Sequence, residues 1–531
     1  METLMTITRR DLLKGGVALA TTAIMAGAAP QTTADAPPLP RVTAMSERVN
    51  LPLRTVGLPP VPPLKVIALN RMAFGPRPED WAAYDALGPT PEEQFTAYVE
   101  QQLDPDAIDD SDCDARIAAQ GFITLNKSLT ELWADHREAD EYSVRILPFT
   151  ETRNATWIRA LYSKRQLLEV LTDFWHNHFN IYAPAYIIAS VWVHYDRDVI
   201  RTHALGNFRT FLEAVATSTA MLYYLDNYVN SNAGPNENYA RELFELHTLG
   251  ADHYLGFGEQ EDVPGYDTGN PIGYVDDDIY EAARAFTGWR VRNSSSDPDI
   301  GNTGEFFTYE PWHDRFEKTV LGHRLENDRP ALADGRDVLN LVASHPGTAQ
   351  HVCKKLCRRF ISDDPPQSVI DAAVATWNAT ADEPDQLKQV VRTILLSDEF
   401  KNTWGEKIKR PFEFVASLLR ASGAEWVPSS SFRWNFRRLG QPLFQWPTPD
   451  GYPDRREPWI GTNAMLRRWN IVNSLIEGWV EGTTIDLRSQ MPADIRSSNA
   501  IVDWWINRIM GRPINTDDRQ EIVDFMAQGR N

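Results

Sequence analysis

Cysteine is scarce in this chain, with three among 531 residues, too few for a disulfide framework to hold the fold together. Long apolar runs are missing beyond the N terminus. The nearest, "YAPAYIIASVWVHY" from Tyr182 to Tyr195, falls short of the roughly 18 residues of a membrane span, so no transmembrane segment is expected once a signal is removed. Basic residues are outnumbered: 53 Lys and Arg stand against 73 Asp and Glu, a formal net charge of -20. Such a surface repels phosphate backbones and no basic patch stands out, so nucleic acid is not an expected partner. The chain also lacks G-x-S-x-G, H-E-x-x-H, a Walker phosphate loop, G-x-G-x-x-G and a paired C-x-x-C. The common serine hydrolases, zincins and nucleotide or dinucleotide binders therefore have no motif support.

What is present is a globular composition, 42% hydrophobic and 24% charged, long enough for one large core or two to three domains. The 17 Trp, 17 Tyr and 22 Phe either fill that core, the commoner use, or stack on flat ligands such as sugars. Residues 1–36 read as a twin-arginine (Tat) export signal: Arg9 and Arg10 precede the apolar stretch Val17 to Ala29, with a small-residue cleavage site at Ala26 to Ala28. The expected location is periplasmic or secreted. That route carries folded proteins, which is compatible with a bound metal and equally with a folding reason. A Pro-rich linker over 37–63 follows.

From 64 to 515 apolar residues recur at spacings of three and four, and strand signals are confined to short pieces such as "GEFFTYEP". The fold class expected is mainly α, a single large multi-helix domain with long irregular loops and a few short β-hairpins. Two loops interrupt it, an acidic Gly-rich insertion at 250–275 and a Pro/aromatic loop at 441–461, and a C-terminal tail follows at 516–531. Loops of that length in compact domains are usually functional or disordered.

One stretch combines helix chemistry with ligand chemistry: "NENYARELFELHTLG", Asn236 to Gly250. Asn236 suits an N-cap and Gly250 a left-handed C-terminal cap, and Arg241 lies four residues from both Glu237 and Glu245. Tyr239, Leu243, Leu246 and His247 share one face, while Asn238, Glu242 and Glu245 form an adjacent stripe. A second stretch, "QLLEVLTDFWHNHFN", places His178 in the apolar stripe and Glu169, Asp173 and His176 on the opposite face. His176 and His178 point about 200° apart, so one metal cannot take both on a regular helix. Metal sites in helical bundles are made from Glu and His facing inward on neighbouring helices. His178 with Glu242, Glu245 and His247 would supply mixed nitrogen and oxygen ligands for a divalent metal. The alternative is structural: a capped helix with an ion-pair ladder, and histidines satisfied in the core.

Weaker candidates are Arg201 and His203 near a turn, the group His313, Asp314 and Lys318, and an Asn-rich loop (Asp226, Asn227, Asn230, Asn232, Asn236). That loop could hold Ca²⁺ but lacks the EF-hand spacing, and self-capping turns are its commoner use. Cys353 and Cys357 lie four apart on one helix face, as core or as a local disulfide.

In order along the chain, "LNRMAFGP", "FWHNHF", "VIRTHALGNF", "AMLYYLDN", "PNENYARELFELHTLG", "EAARAFTGW", "HDRFEKTVLG", "LCRRFI" and "RPFEFVASLLRASG" resemble the bacterial family known as domain of unknown function 1800. The resemblance spans about residues 64 to 515. It implies an exported, mostly helical protein whose gene neighbours that of another exported protein, a potential partner, and it implies no established activity or cofactor. The long acidic insertion departs from the family's usual pattern. Two functions stay open. One is a metal-dependent exported enzyme on an envelope or polymeric substrate, with His178, His203 and Arg201 as catalytic candidates. The other is a non-enzymatic binding or assembly protein whose His, Glu and Asn motifs form a structural polar core.

Overall fold

The computed structural model describes residues 60–528; the segment read as an export signal and most of the expected Pro-rich linker lie outside the described residues. Helices dominate, from Leu64–Arg71 to Thr516–Ala527, and the strands form three two-stranded antiparallel pairs. The largest pair joins Trp289–Asn293 to Asn302–Thr308, where "GEFFT" promised a strand. Among the described residues no helix is long and apolar enough to cross a membrane. The segment read as a tail contains the helix Thr516–Ala527, tied by Arg519 to Asp503 of the preceding helix at 2.6 Å.

Amphipathic spacing explains most of the helices. Phe208–Thr217 buries Phe208, Phe211, Leu212, Val215 and Ala216, a stripe at spacings of three and one. Asn207 caps its start by accepting from the Thr210 N–H at 3.2 Å. Each of the two Phe rings, fully buried, contributes on the order of 1.5–3 kcal/mol. The aromatics pack on one another. Trp157 takes edge contacts from Phe412, Phe432 and Phe436 at 4.8–4.9 Å, so much of the aromatic surplus serves the core.

The helix Gln166–His178 sits centrally. Its apolar residues Leu167, Leu171, Phe174 and Trp175 are buried, and so are Glu169, Thr172, His176, Asn177 and His178. The face expected to be simply polar is therefore inside the protein and must find partners there. Cys353 and Cys357 are free and buried, which decides for the core reading over the disulfide. Burial pushes both thiols up, Cys357 to about 12, and leaves them as inert packing groups.

Candidate functional site

The signature stretch is shorter and more distorted than a capped helix over 236–250. A regular helix covers Asn238–Glu242, then the chain widens into a π-helical turn at Leu243–His247. Asn236 does not act as the N-cap; its Oδ1 accepts from the Asn238 N–H at 3.0 Å in a tighter local turn. Arg241 pairs with Glu237 at 2.8 Å and with Asp276 at 2.9 Å, so Glu245 is not its partner. Gly250 has φ +90°, and a Cβ there would lie 2.5 Å from the His351 ring. Glycine is required for both reasons.

The widened turn leaves carbonyls at the helix end to be satisfied from outside. His178 Nε2 donates to the His247 carbonyl at 3.1 Å, and His351 Nε2, from the helix Pro346–Phe360, donates to the Leu246 carbonyl at 3.2 Å. A carbonyl accepts only, so both imidazoles carry their proton on Nε2. Two histidines from two helices thus cap the signature helix. The three rings cluster: His178 to His247 is 6.4 Å between centroids and His178 to His351 is 6.2 Å. Burial first, and then the nearby Lys355 ammonium, hold all three well below the ordinary imidazole value, His247 and His351 at about 3. They are neutral at pH 7. His247 is fully buried, and neither of its ring nitrogens has a hydrogen-bond partner among the described residues. The Nδ1 of His178 is buried in the same state.

Glu242 and Glu245 are half-buried, and both help hold the Tyr274 phenol above its usual value, behind the larger effect of burial. Among the described residues no group of three or more His, Cys, Asp or Glu side chains is placed to hold one metal ion. The structure joins His178 to His247 and adds His351, which the sequence reasoning passed over.

Arg201 and His203 are elsewhere. A π-helical turn at Tyr195–Arg201 brings Arg201 onto the opposite face of the central helix, where it makes a two-pronged pair with Glu169 at 2.8 Å and reaches Asp196 at 3.0 Å. The other Asp196 oxygen meets His176 Nε2 at 2.9 Å. Burial acts to raise the Asp196 pKa, but Arg201 and His176 outweigh it and hold the carboxyl far below its usual range. His203 lies apart, its Nδ1 on the Val199 carbonyl at 2.8 Å and its ring stacked on Phe211 at 5.6 Å.

Asparagines complete the frame. Asn177 donates to the Tyr452 carbonyl and accepts from the Tyr452 N–H, while Asn180 donates to the Trp446 and Thr448 carbonyls. The irregular segment 441–461 is therefore pinned to the end of the central helix. Two backbone features mark the fit. Phe444 is held at φ +61° with its ring 4.6 Å from His176, and Gly451 lies so close to the Asn177 carbonyl that a Cβ would sit 2.3 Å from its oxygen.

The remaining candidates are local knots. Asn230 bonds Asn227, the Ala283 carbonyl and the Asn236 N–H, as self-capping turns do. His313 and Lys318 converge on buried Asp334 at 3.3 and 2.9 Å, joined by Arg329 at 3.0 Å. Asp314 pairs with Arg284.

Residues 67–531 match the family described as "Protein of unknown function (DUF1800)". No curated protein matches the chain, and no solved structure does.

Proposed function

Since the chain belongs to the DUF1800 family of proteins of unknown function, we propose that it is an exported binding or assembly protein whose polar motifs are its frame. The observation that carries this reading is the division of labour in "HNHFN". His176 goes to Asp196, Asn177 and Asn180 go to the 441–461 segment, and His178 goes to the His247 carbonyl. Each of the four side chains has an internal structural partner, and the two ring nitrogens left over, His176 Nδ1 and His178 Nδ1, are buried. Export through the twin-arginine route to the periplasm or beyond is part of the proposal, supported by Arg9, Arg10 and the apolar run after them. A co-exported protein is the partner class it suggests.

A second reading, a metal-dependent enzyme on an envelope or polymeric substrate, is favoured by one observation. Both ring nitrogens of His247 are buried without a protein partner, a state that costs about 1–3 kcal/mol for each unmet polar group. A divalent metal on His247 would relieve it, although among the described residues no third His, Cys, Asp or Glu ligand is placed to complete such a site with His178.

Chelation separates the two. With the chain purified after native export, the binding reading expects dialysis against EDTA to leave Tm unchanged. A fall in Tm that Zn²⁺ restores would favour the metal reading. For export, replacing Arg9 and Arg10 together by lysine is expected to retain the chain in the cytoplasm, and undiminished export would remove that part of the proposal.

A further inference from the structure

Another polar region lies outside the histidine cluster. A cavity of about 310 Å³ opens beside the Leu64–Arg71 helix and the start of the Pro411–Ala421 helix. Its walls carry five cationic side chains, Arg71, Arg359, Lys407, Lys409 and Arg512, and one carboxylate, Glu413. That balance reverses the chain's overall charge of -20.

The surrounding groups do not cancel the excess. Lys407 is paired with Asp363 at 2.7 Å, and Arg359 with Glu413 at 3.0 Å. Glu413 is shared with Arg410, which also pairs with Asp173, and Glu406 acts on Arg71 from a distance. Adding Arg410 to the five lining cations gives six positive groups. Glu413, Asp363, Asp173, Asp454 and Glu406 give five negative ones.

The unmatched charge lies on the cavity itself. Arg71 gives its guanidinium to the backbone carbonyls of Phe400 and Thr403. Lys409 donates to two neutral oxygens, Asn70 Oδ1 at 2.9 Å and Ser417 Oγ at 2.7 Å, and burial lowers its ammonium to about 8. Among the described residues Arg512 hydrogen-bonds the neighbouring Pro513 carbonyl alone, and the Arg359 Nε is buried with no partner, its Nη2 being the atom on Glu413. Arg71 and Lys409 are thus desolvated with no carboxylate in contact among the described residues, a costly state, and an anion placed between them recovers that cost. An aromatic wall completes the site: Arg71 and Arg512 stand 5.7 and 6.0 Å from the Trp404 ring.

We propose that this cavity binds a small anionic ligand, a carboxylate or phosphate carried on a ring or short apolar body that lies along Trp404, with Lys409, Arg512 and Arg71 holding the anion. The volume holds one ring and its charged group, so the ligand is a small molecule or the end of a longer chain. The proposal deepens the binding reading above and rests on it.

The test is calorimetric titration of the full exported chain with phenyl phosphate and with benzoate, using benzyl alcohol as the uncharged control. At least one anion is expected to bind and the control is not; the tighter anion identifies the headgroup. Lys409→Met is expected to weaken binding by on the order of tenfold, the loss of one charge-assisted hydrogen bond, and Arg512→Gln by about threefold. Arg512 is at the rim with few bonds to lose, so it decides the matter if Lys409→Met fails to fold. Binding of neither anion, equal binding of benzyl alcohol, or affinity unchanged in both variants overturns the proposal. Failure here with Tm indifferent to EDTA removes the cavity proposal alone. An EDTA-sensitive Tm with anion binding intact removes the structural reading of the histidines alone.

Discussion

The inner face of the histidine cluster and the wall of the basic cavity spend their polar groups in opposite ways. The imidazoles of His178, His247 and His351 are neutral, and two of the three donate to backbone carbonyls at a helix end. Around Lys409 and Arg71 the groups are charged, donate to neutral oxygens, and face open space. The first arrangement completes a fold, because a helix end inside a protein has carbonyls that must be met. The second leaves charge to be completed by something that arrives. Residue types alone mislead here, since the histidines look like ligands and the lysine looks like surface.

The contrast can be broken most forcefully on the central helix. Arg201→Met removes the cation shared by Glu169 and Asp196, strands the buried Glu169 carboxylate and leaves Asp196 to His176 and Arg159; a loss of about 3–5 kcal/mol is expected in urea unfolding. A loss under about 1 kcal/mol would mean that the frame does not depend on this network. His178→Ala comes next. It uncaps the His247 carbonyl and opens a cavity beside Trp175, for about 2–4 kcal/mol by the same measurement. Gly451→Ala drives a methyl into the Asn177 carbonyl at a residue with φ +73°, and is expected to cost about 1–3 kcal/mol and to loosen the 441–461 segment in hydrogen exchange.

Acid sharpens the same comparison. The folded chain holds His178, His247 and His351 below the ordinary value of about 6.5, so the unfolded chain takes up protons that the folded chain refuses. The stability these groups lend is full above that value and falls as pH drops from it toward their folded values, near 3 for His247 and His351. His136, His194 and His345 are also lowered, chiefly by burial, and act in the same sense. The denaturation midpoint is therefore expected to decline between about pH 6.5 and 4.5, before the carboxylates contribute. His351→Gln should reduce proton uptake on unfolding by one. Glu413, raised by burial but held down to about 2 by Arg359 and Arg410, is shifted in the same direction, and its contribution falls as pH drops from the ordinary glutamate value of about 4.3 toward 2. The smallest effect belongs to His203→Ala, under about 1 kcal/mol, since the ring is half-buried and bonded within its own turn.

Periodicity made the helical fold legible: the stripe of Phe208, Phe211, Leu212 and Val215 names its own buried face, and "GEFFT" its own strand. The opposition of His176 and His178 was legible too, because it follows from helix geometry. What could not be read was the π-helical winding at Leu243–His247 and Tyr195–Arg201, which depends on neighbours rather than on local residues. That winding turned Arg201 toward Glu169 and exposed the carbonyls that His178 and His351 cap. Asp196 and His351 carried no signal beyond their residue type, since their partners are distant in sequence. The cavity was hidden for the same reason: Arg71, Arg359, Lys409 and Arg512 come from four separate segments, and a count of charge along the chain shows no patch.

The histidine cluster is proposed as a frame rather than a metal centre. Elemental analysis of the full chain purified after native export tests it most directly, run beside the Glu242→Ala, His178→Ala double variant. The account predicts folded protein without stoichiometric transition metal in either sample; one equivalent of metal in the wild type, lost in the double variant, would contradict it.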